Sequence, residues 1–166
     1  KRQVNNNAYE SIKIKDNLIV TGIEAVCPEF DISKIKILSE NEIPFSNGLG
    51  SSAAALCTGL LIGNYLIGNK FSLEDLNEKA IKIEGHPDNV TPCLFGGLTI
   101  SVFNDKKDKW IIRKIDVSRD LNIMVFTPNF ISNTNNSRKK LSKSVTRSAA
   151  VYNISRVALL IDSLNK

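Results

Sequence analysis

Pro44-Phe-Ser-Asn-Gly-Leu-Gly-Ser-Ser-Ala-Ala-Ala55 sets two glycines and a serine pair at the mouth of an apolar run. Gly48 and Gly50 admit positive φ and close approach of the backbone. Ser51 and Ser52 place two hydroxyls where an Ala- and Leu-rich segment, Ser51 to Ile67, starts a helix. The first N–H groups of a helix have no partner within it, and its dipole is positive at that end, so the combination is an anion site. Standing alone, the same residues also read as a plain glycine turn ahead of an N-cap.

Three phosphate-binding loops can be compared with it. A Walker loop needs Gly-Lys-Ser/Thr, and no lysine lies between Pro44 and Ala55. The protein-kinase glycine loop needs its lysine strand and catalytic His-Arg-Asp segment, and neither occurs. The dinucleotide fingerprint fits by letters as Gly48-x-Gly50-x-x-Ala53. Its context does not fit. A half-polar segment ending in Pro44 precedes the loop, and Leu73 to Ile83 looks helical where a second strand should stand.

Outward from the loop, Asn17 to Cys27 carries apolar residues at helical spacing and is stopped by Pro28. Ile35 and Ile37 alternate with Lys34 and Lys36, which predicts a short strand closed by Ile43-Pro44. Ser72, with Glu74 and Asp75 behind it, opens a further helix toward Ile83. Leu94 to Phe103, Trp110 to Ile115 and Leu121 to Phe126 read as strands, and a last helix runs from near Ser144 through Leu160. The class is α+β.

A second segment concentrates chemistry: Glu84-Gly-His-Pro-Asp-Asn-Val-Thr-Pro92. Pro87 keeps His86 out of the helical region, so the preceding helix should end near Glu84. Taken alone, Gly-His-Pro-Asp-Asn is also an ordinary turn in which Asp88 and Asn89 cap backbone amides. His86 is the sole histidine, which excludes a multi-histidine metal centre. Cys27, Cys57 and Cys93 lack metal spacing, sit among apolar residues and read as reduced core thiols, which implies a cytoplasmic setting.

The whole composition is that of a folded globular protein. The 166 residues, 42% hydrophobic and 23% charged, fit one domain by length and are too apolar for disorder. The longest apolar stretch, Ala53 to Gly68, is broken by Thr58 and Asn64, so no membrane partner is expected. The net charge of +5 is scattered, which argues against nucleic acid as a partner. Its one cluster, Arg138-Lys139-Lys140, also reads as a solvated basic turn.

The loop resembles that of the GHMP kinases (galacto-, homoserine, mevalonate and phosphomevalonate kinases), whose pattern is Pro-x-x-x-Gly-Leu-Gly-Ser-Ser-Ala, at every fixed position. Glu84 to Pro92 is similar to the Glu-Gly-His-Pro-Asp-Asn-Val-x-Pro segment of the branch that phosphorylates homoserine. Thr127 to Leu141 resembles a third family segment, Pro-x-x-x-x-Ser-Thr-x-x-Ala-Arg-x-x-Leu-Pro, with Thr134, Arg138 and Leu141 in place. Asn133, Ser137 and Ser142 depart from it. Val151 to Arg156 is similar to the family's Ala-Val-x-Asn-x-x-Arg helix.

The resemblance implies an S5 domain 2-like first domain over residues 1–116 and the start of a ferredoxin-like second domain over 117–166. The family's Ser-Ala-Asn-Leu-Gly-x-Gly-Phe-Asp and Gly-Ser-Gly-Pro segments do not occur, so the chain is expected to be a fragment whose own activity is in doubt. The implied reaction is phosphoryl transfer from ATP to the L-homoserine hydroxyl in threonine biosynthesis. Alternatives are an inactive nucleotide-binding member or another small-molecule kinase of the family. A homodimer is left open. Around the phosphates the resemblance places Pro44, Phe45, Ser46, Asn47, Gly48, Leu49, Gly50, Ser51, Ser52, Ala53 and Ala54. Mg²⁺ takes hard oxygen ligands and keeps several waters, so Ser52 and Glu84 suffice as its protein ligands, as the family also implies. Arg138, with Thr134, would clamp the substrate carboxylate, while His86 and Asn89 orient its hydroxyl and polar head. Asp88 is a secondary candidate as general base.

Overall fold

The computed structural model describes residues 17–44, 48–117, 121–126, 142 and 144–164. It contains five α-helices and one two-stranded sheet among these residues. Helix α1 (Leu18–Val26) is capped by Asn17, whose side-chain oxygen accepts from the Ile19 amide at 2.9 Å. Helix α2 (Ser51–Leu66) starts on Gly50 in the left-handed region. The two helices touch backbone to backbone through glycines. A Cβ on Gly22 would stand 2.5 Å from the Leu56 carbonyl oxygen, and one on Gly59 would collide with the Ile19 backbone.

Helix α3 (Leu73–Glu84) opens with a reciprocal cap: the Asp75 amide donates to Ser72 Oγ at 3.1 Å, and the Ser72 amide to the Asp75 carboxylate at 3.0 Å. The Ser72 bonds hold the Asp75 carboxyl below its ordinary pKa. Between α2 and α3, the buried Asn64 amide bonds both the N–H and the C=O of Phe71, each at 3.0 Å, and so stands in for a backbone rung. Lys79 ties α3 to the end of α1, donating to the Ala25 carbonyl at 3.3 Å and lying 4.7 Å over the Phe71 ring.

The core collects Val26, Ala53, Leu56, Cys57, Leu60, Leu76, Ala80, Ile81 and Val90 from four helices, with Trp110 packed against it. Val90 belongs to the short helix α4 (Val90–Phe95), which the buried Thr91 hydroxyl fastens to α3 by donating to Asn77 Oδ1 at 2.9 Å. Gly96 and Gly97, at φ +69° and +71°, turn the chain into the antiparallel hairpin β1 (Leu98–Asn104) and β2 (Lys109–Ile115). Its register runs from Leu98 opposite Ile115 to Asn104 opposite Lys109. Helix α5 (Arg147–Leu164) buries none of its residues.

Three expected strands are corrected. Residues 35–39 form no ladder; a 3₁₀ turn at Ile32–Lys34 gives way to irregular chain. Leu94 and Phe95 end α4, so the strand expected from Leu94 begins only at Leu98. Residues 121–126 have no regular structure and are exposed, Phe126 at 84%. Alternation names the face a strand would bury, but a strand forms only beside a partner, and none lies along these segments among the described residues.

Candidate active site

The glycine loop meets α2 as its sequence demands. Gly48 and Gly50 sit at φ +71° and +77°, a region L-residues with side chains seldom enter. A Cβ on Gly48 would have nothing within 4 Å, so the backbone there faces open space. Gly50 offers no side chain to cap α2, and the first intrahelical bond is the Ala54 amide to the Gly50 carbonyl at 2.9 Å. The amides of Ser51, Ser52 and Ala53 therefore head the helix without a side-chain cap, at its positive end. Ser52 is exposed and Ser51 half-buried. Ala53 is fully buried, so its side chain belongs to the core and only its N–H can serve an anion. Leu49 is exposed, and Phe45, Ser46 and Asn47 lie outside the described residues.

Asn41 was not singled out by the sequence. Its Nδ2 donates to Ser51 Oγ at 3.1 Å and to the Ile43 carbonyl at 3.0 Å, while its Oδ1 accepts from the Ile43 amide at 3.0 Å. This Asx turn leads the chain into Pro44 and fixes the hydroxyl at the head of α2. The available signal was an Asn two residues before Ile43-Pro44, a common turn arrangement without any sign of its reach to Ser51.

Glu84 closes α3, and Gly85, left-handed at φ +87°, ends the helix there as Pro87 led us to expect. Glu84 is half-buried, and its charge contributes to pushing the buried Cys57 thiol up, after the Cys93 thiol and burial. His86 turns its Nδ1 onto Asp88 Oδ1, which engages Asp88 and fixes the imidazole. Asn89 precedes α4 without capping it. Instead its Oδ1 stands 3.9 Å from the place a Cβ on Gly50 would take. The two motifs, 39 positions apart in the sequence, therefore meet in the fold.

The cysteine expectation is corrected at Cys93, which is exposed; Cys57 is buried and Cys27 half-buried. The Cys57 thiol donates toward the Val90 carbonyl at 3.8 Å, and its nearness lowers the Cys93 thiol to about 7.

A phosphate fits the loop: two left-handed glycines, open space at Gly48 and uncapped amides form the cradle. Among the described residues no group of three or more His, Cys, Asp or Glu could hold a metal. Ser52 lies in the first turn of α2 and Glu84 ends α3, and a hydroxyl and a carboxylate are hard oxygen donors of the kind Mg²⁺ takes. Thr134 and Arg138 lie outside the described residues.

Residues 17–97 match the family described as GHMP kinases N terminal domain. A homoserine kinase of Clostridium beijerinckii is 42% identical over 160 residues, 94% of this chain and 53% of that protein. One from Clostridium kluyveri is 38% identical over 169 residues, 99% of this chain and 55% of that one. The crystal structure of homoserine kinase from Cytophaga hutchinsonii superposes with a TM-score of 0.69 at 25% identity, over 95% of this chain and 51% of that one. A structure from Listeria monocytogenes, TM-score 0.64 at 22% identity, shares the fold. The chain spans about half the length of the curated relatives it matches.

Proposed function

From the membership of this chain in the GHMP kinase family, we propose that it carries the nucleotide site, and part of the substrate site, of an enzyme transferring a phosphoryl group from ATP to the hydroxyl of L-homoserine. The product, O-phospho-L-homoserine, would enter threonine biosynthesis. The observation that carries the reading is the meeting of Gly50, at the uncapped head of α2, with Asn89 of the Gly-His-Pro-Asp-Asn segment. Residues 1–116 would form the nucleotide-binding domain and 117–166 open the second one.

Phosphoryl transfer asks a protein mainly for positioning and for neutralising charge. The amides from Gly48 to Ala53 would donate to the phosphate oxygens, and Asn41 holds the Ser51 hydroxyl in place beside them. Ser52 and Glu84 would hold Mg²⁺, which neutralises phosphate charge when bound. Asn89, projecting toward Gly50, would orient the attacking hydroxyl where the transferred phosphoryl arrives. His86, fixed by Asp88, would bind the polar head of the amino acid. Asp88 is then occupied with positioning, and its role as proton acceptor ranks behind Asn89. Arg138, with Thr134, would receive the carboxylate through its forked donors. The free thiols fit a cytoplasmic enzyme, and no helix among the described residues is long and apolar enough to cross a membrane.

The test is product identification by phosphorus NMR with the full-length protein, ATP, Mg²⁺ and homoserine. O-phosphohomoserine supports the reading. ATP binding with no transfer to homoserine would favour the inactive nucleotide-binding alternative, and transfer to mevalonate or galactose alone would move the protein to another branch of the family.

A further inference from the structure

Helices α2 and α4 meet through sulfur. Cys57, 2% exposed, aims its thiol at α4, donating toward the Val90 carbonyl at 3.8 Å. Cys93 lies one helical turn beyond Val90 on the same helix, near enough for each thiol to shift the ionisation of the other. One member of the pair is exposed and the other sealed in the core. That asymmetry suits an outer thiol that meets a reagent and an inner thiol that resolves the product.

We propose that Cys93 and Cys57 form a peroxide-responsive dithiol whose disulfide staples the glycine-loop helix to the helix that follows Asn89. The Cys93 thiolate attacks a peroxide oxygen, the O–O bond breaks and hydroxide leaves, giving a sulfenic acid. The Cys57 sulfur then attacks the Cys93 sulfur, the S–O bond breaks, and water leaves with the Cys57 proton. The hydroxide takes up the proton that Cys93 released on ionising. In sum, two thiols are oxidised by one peroxide, which is reduced to two waters. Closing the bond brings the two sulfurs to about 2.05 Å. Helix α4 can follow, being six residues long and bounded by an uncapped Asn89 and by Gly96.

Full-length protein treated with hydrogen peroxide, denatured, alkylated and mapped without reduction provides the test. The expected result is a cross-linked peptide pair containing Cys57 and Cys93, about 2 Da below the sum of the reduced peptides. Dithiothreitol should release it, Cys27→Ser should keep it, and Cys57→Ser and Cys93→Ser should each lose it. Recovery of both cysteines alkylated, or of Cys93 as sulfinic or sulfonic acid without the cross-link, overturns the proposal. A cross-link through Cys27 overturns it as well.

Discussion

Single residues at the loop carry distinguishable tasks. Asn41 spends its whole amide on the Asx turn and on Ser51 Oγ, so Asn41→Ala frees a hydroxyl beside the proposed phosphate cradle without touching the core. One net hydrogen bond amounts to about 1 kcal/mol, so the KM for ATP should rise about fivefold at nearly constant kcat in a steady-state assay. Glu84→Gln keeps the shape and removes the charge. The Mg²⁺ concentration for half-maximal turnover should then rise by about tenfold or more, with an unchanged circular dichroism spectrum. At Cys93 the pKa is lowered to about 7, so the thiolate is present above that pH and lost below it. Iodoacetamide labelling of Cys93, followed by peptide mass, should therefore climb through about pH 7, below the usual thiol range. At this scale the sequence was most legible where a residue type has few uses. Gly48 and Gly50 needed positive φ and have it, and Gly85 follows Glu84 where Pro87 requires the helix to stop. Asn41 escaped because its partner, Ser51, is ten positions away and asparagine in a turn has many uses.

The helices and the Trp110 to Ile115 strand were readable and the other strands were not, or only in part, for a reason that lies in what each needs. The starts of α1 and α3 are written in local chemistry, Asn17 capping one and the Ser72–Asp75 box the other. Each forms its hydrogen bonds within itself. Ile35 and Ile37 alternate like a strand, yet pairing is a property of two segments and leaves no mark on one. Leu94 and Phe95 were assigned to β1 because an apolar run has no visible boundary. The boundary is at Gly96 and Gly97, whose left-handed backbone separates α4 from β1. Leu121 to Phe126 is apolar enough for a buried strand, and its side chains meet no core among the described residues. The close fit of α1 on α2 was likewise hidden, since glycine spacing alone does not say which helix approaches. It makes a sharp prediction. Gly59→Ala drives a methyl group into the Ile19 backbone, which cannot rotate away as a side chain could. Thermal unfolding of the full-length protein should show a loss of about 3 kcal/mol or more, at the upper end of overpacking effects. Thr58→Ala, one residue away on the exposed side, should remain within about 0.5 kcal/mol of wild type.

Over the whole molecule, the helical core serves to bring two distant sequence motifs to one place. Helices α2, α3 and α4 share Leu56, Leu76, Ala80 and Val90, and the Thr91–Asn77 hydrogen bond locks α4 to α3 inside that core. As a result Gly50 and Asn89 face each other at the head of α2. The site is thus a property of the packing, and its two halves need each other. Gly50 is where they can be separated from the fold. Valine there would place a branched side chain in a left-handed backbone and fill the gap toward Asn89, away from the core residues. The most direct measurement is calorimetric titration of ATP with Mg²⁺ into the full-length protein and its Gly50→Val variant, each first checked for a native circular dichroism spectrum. The account predicts saturable binding to the wild type and affinity reduced by at least about a hundredfold in the folded variant, a loss of about 2.7 kcal/mol or more. A folded Gly50→Val protein that binds ATP like the wild type would contradict it.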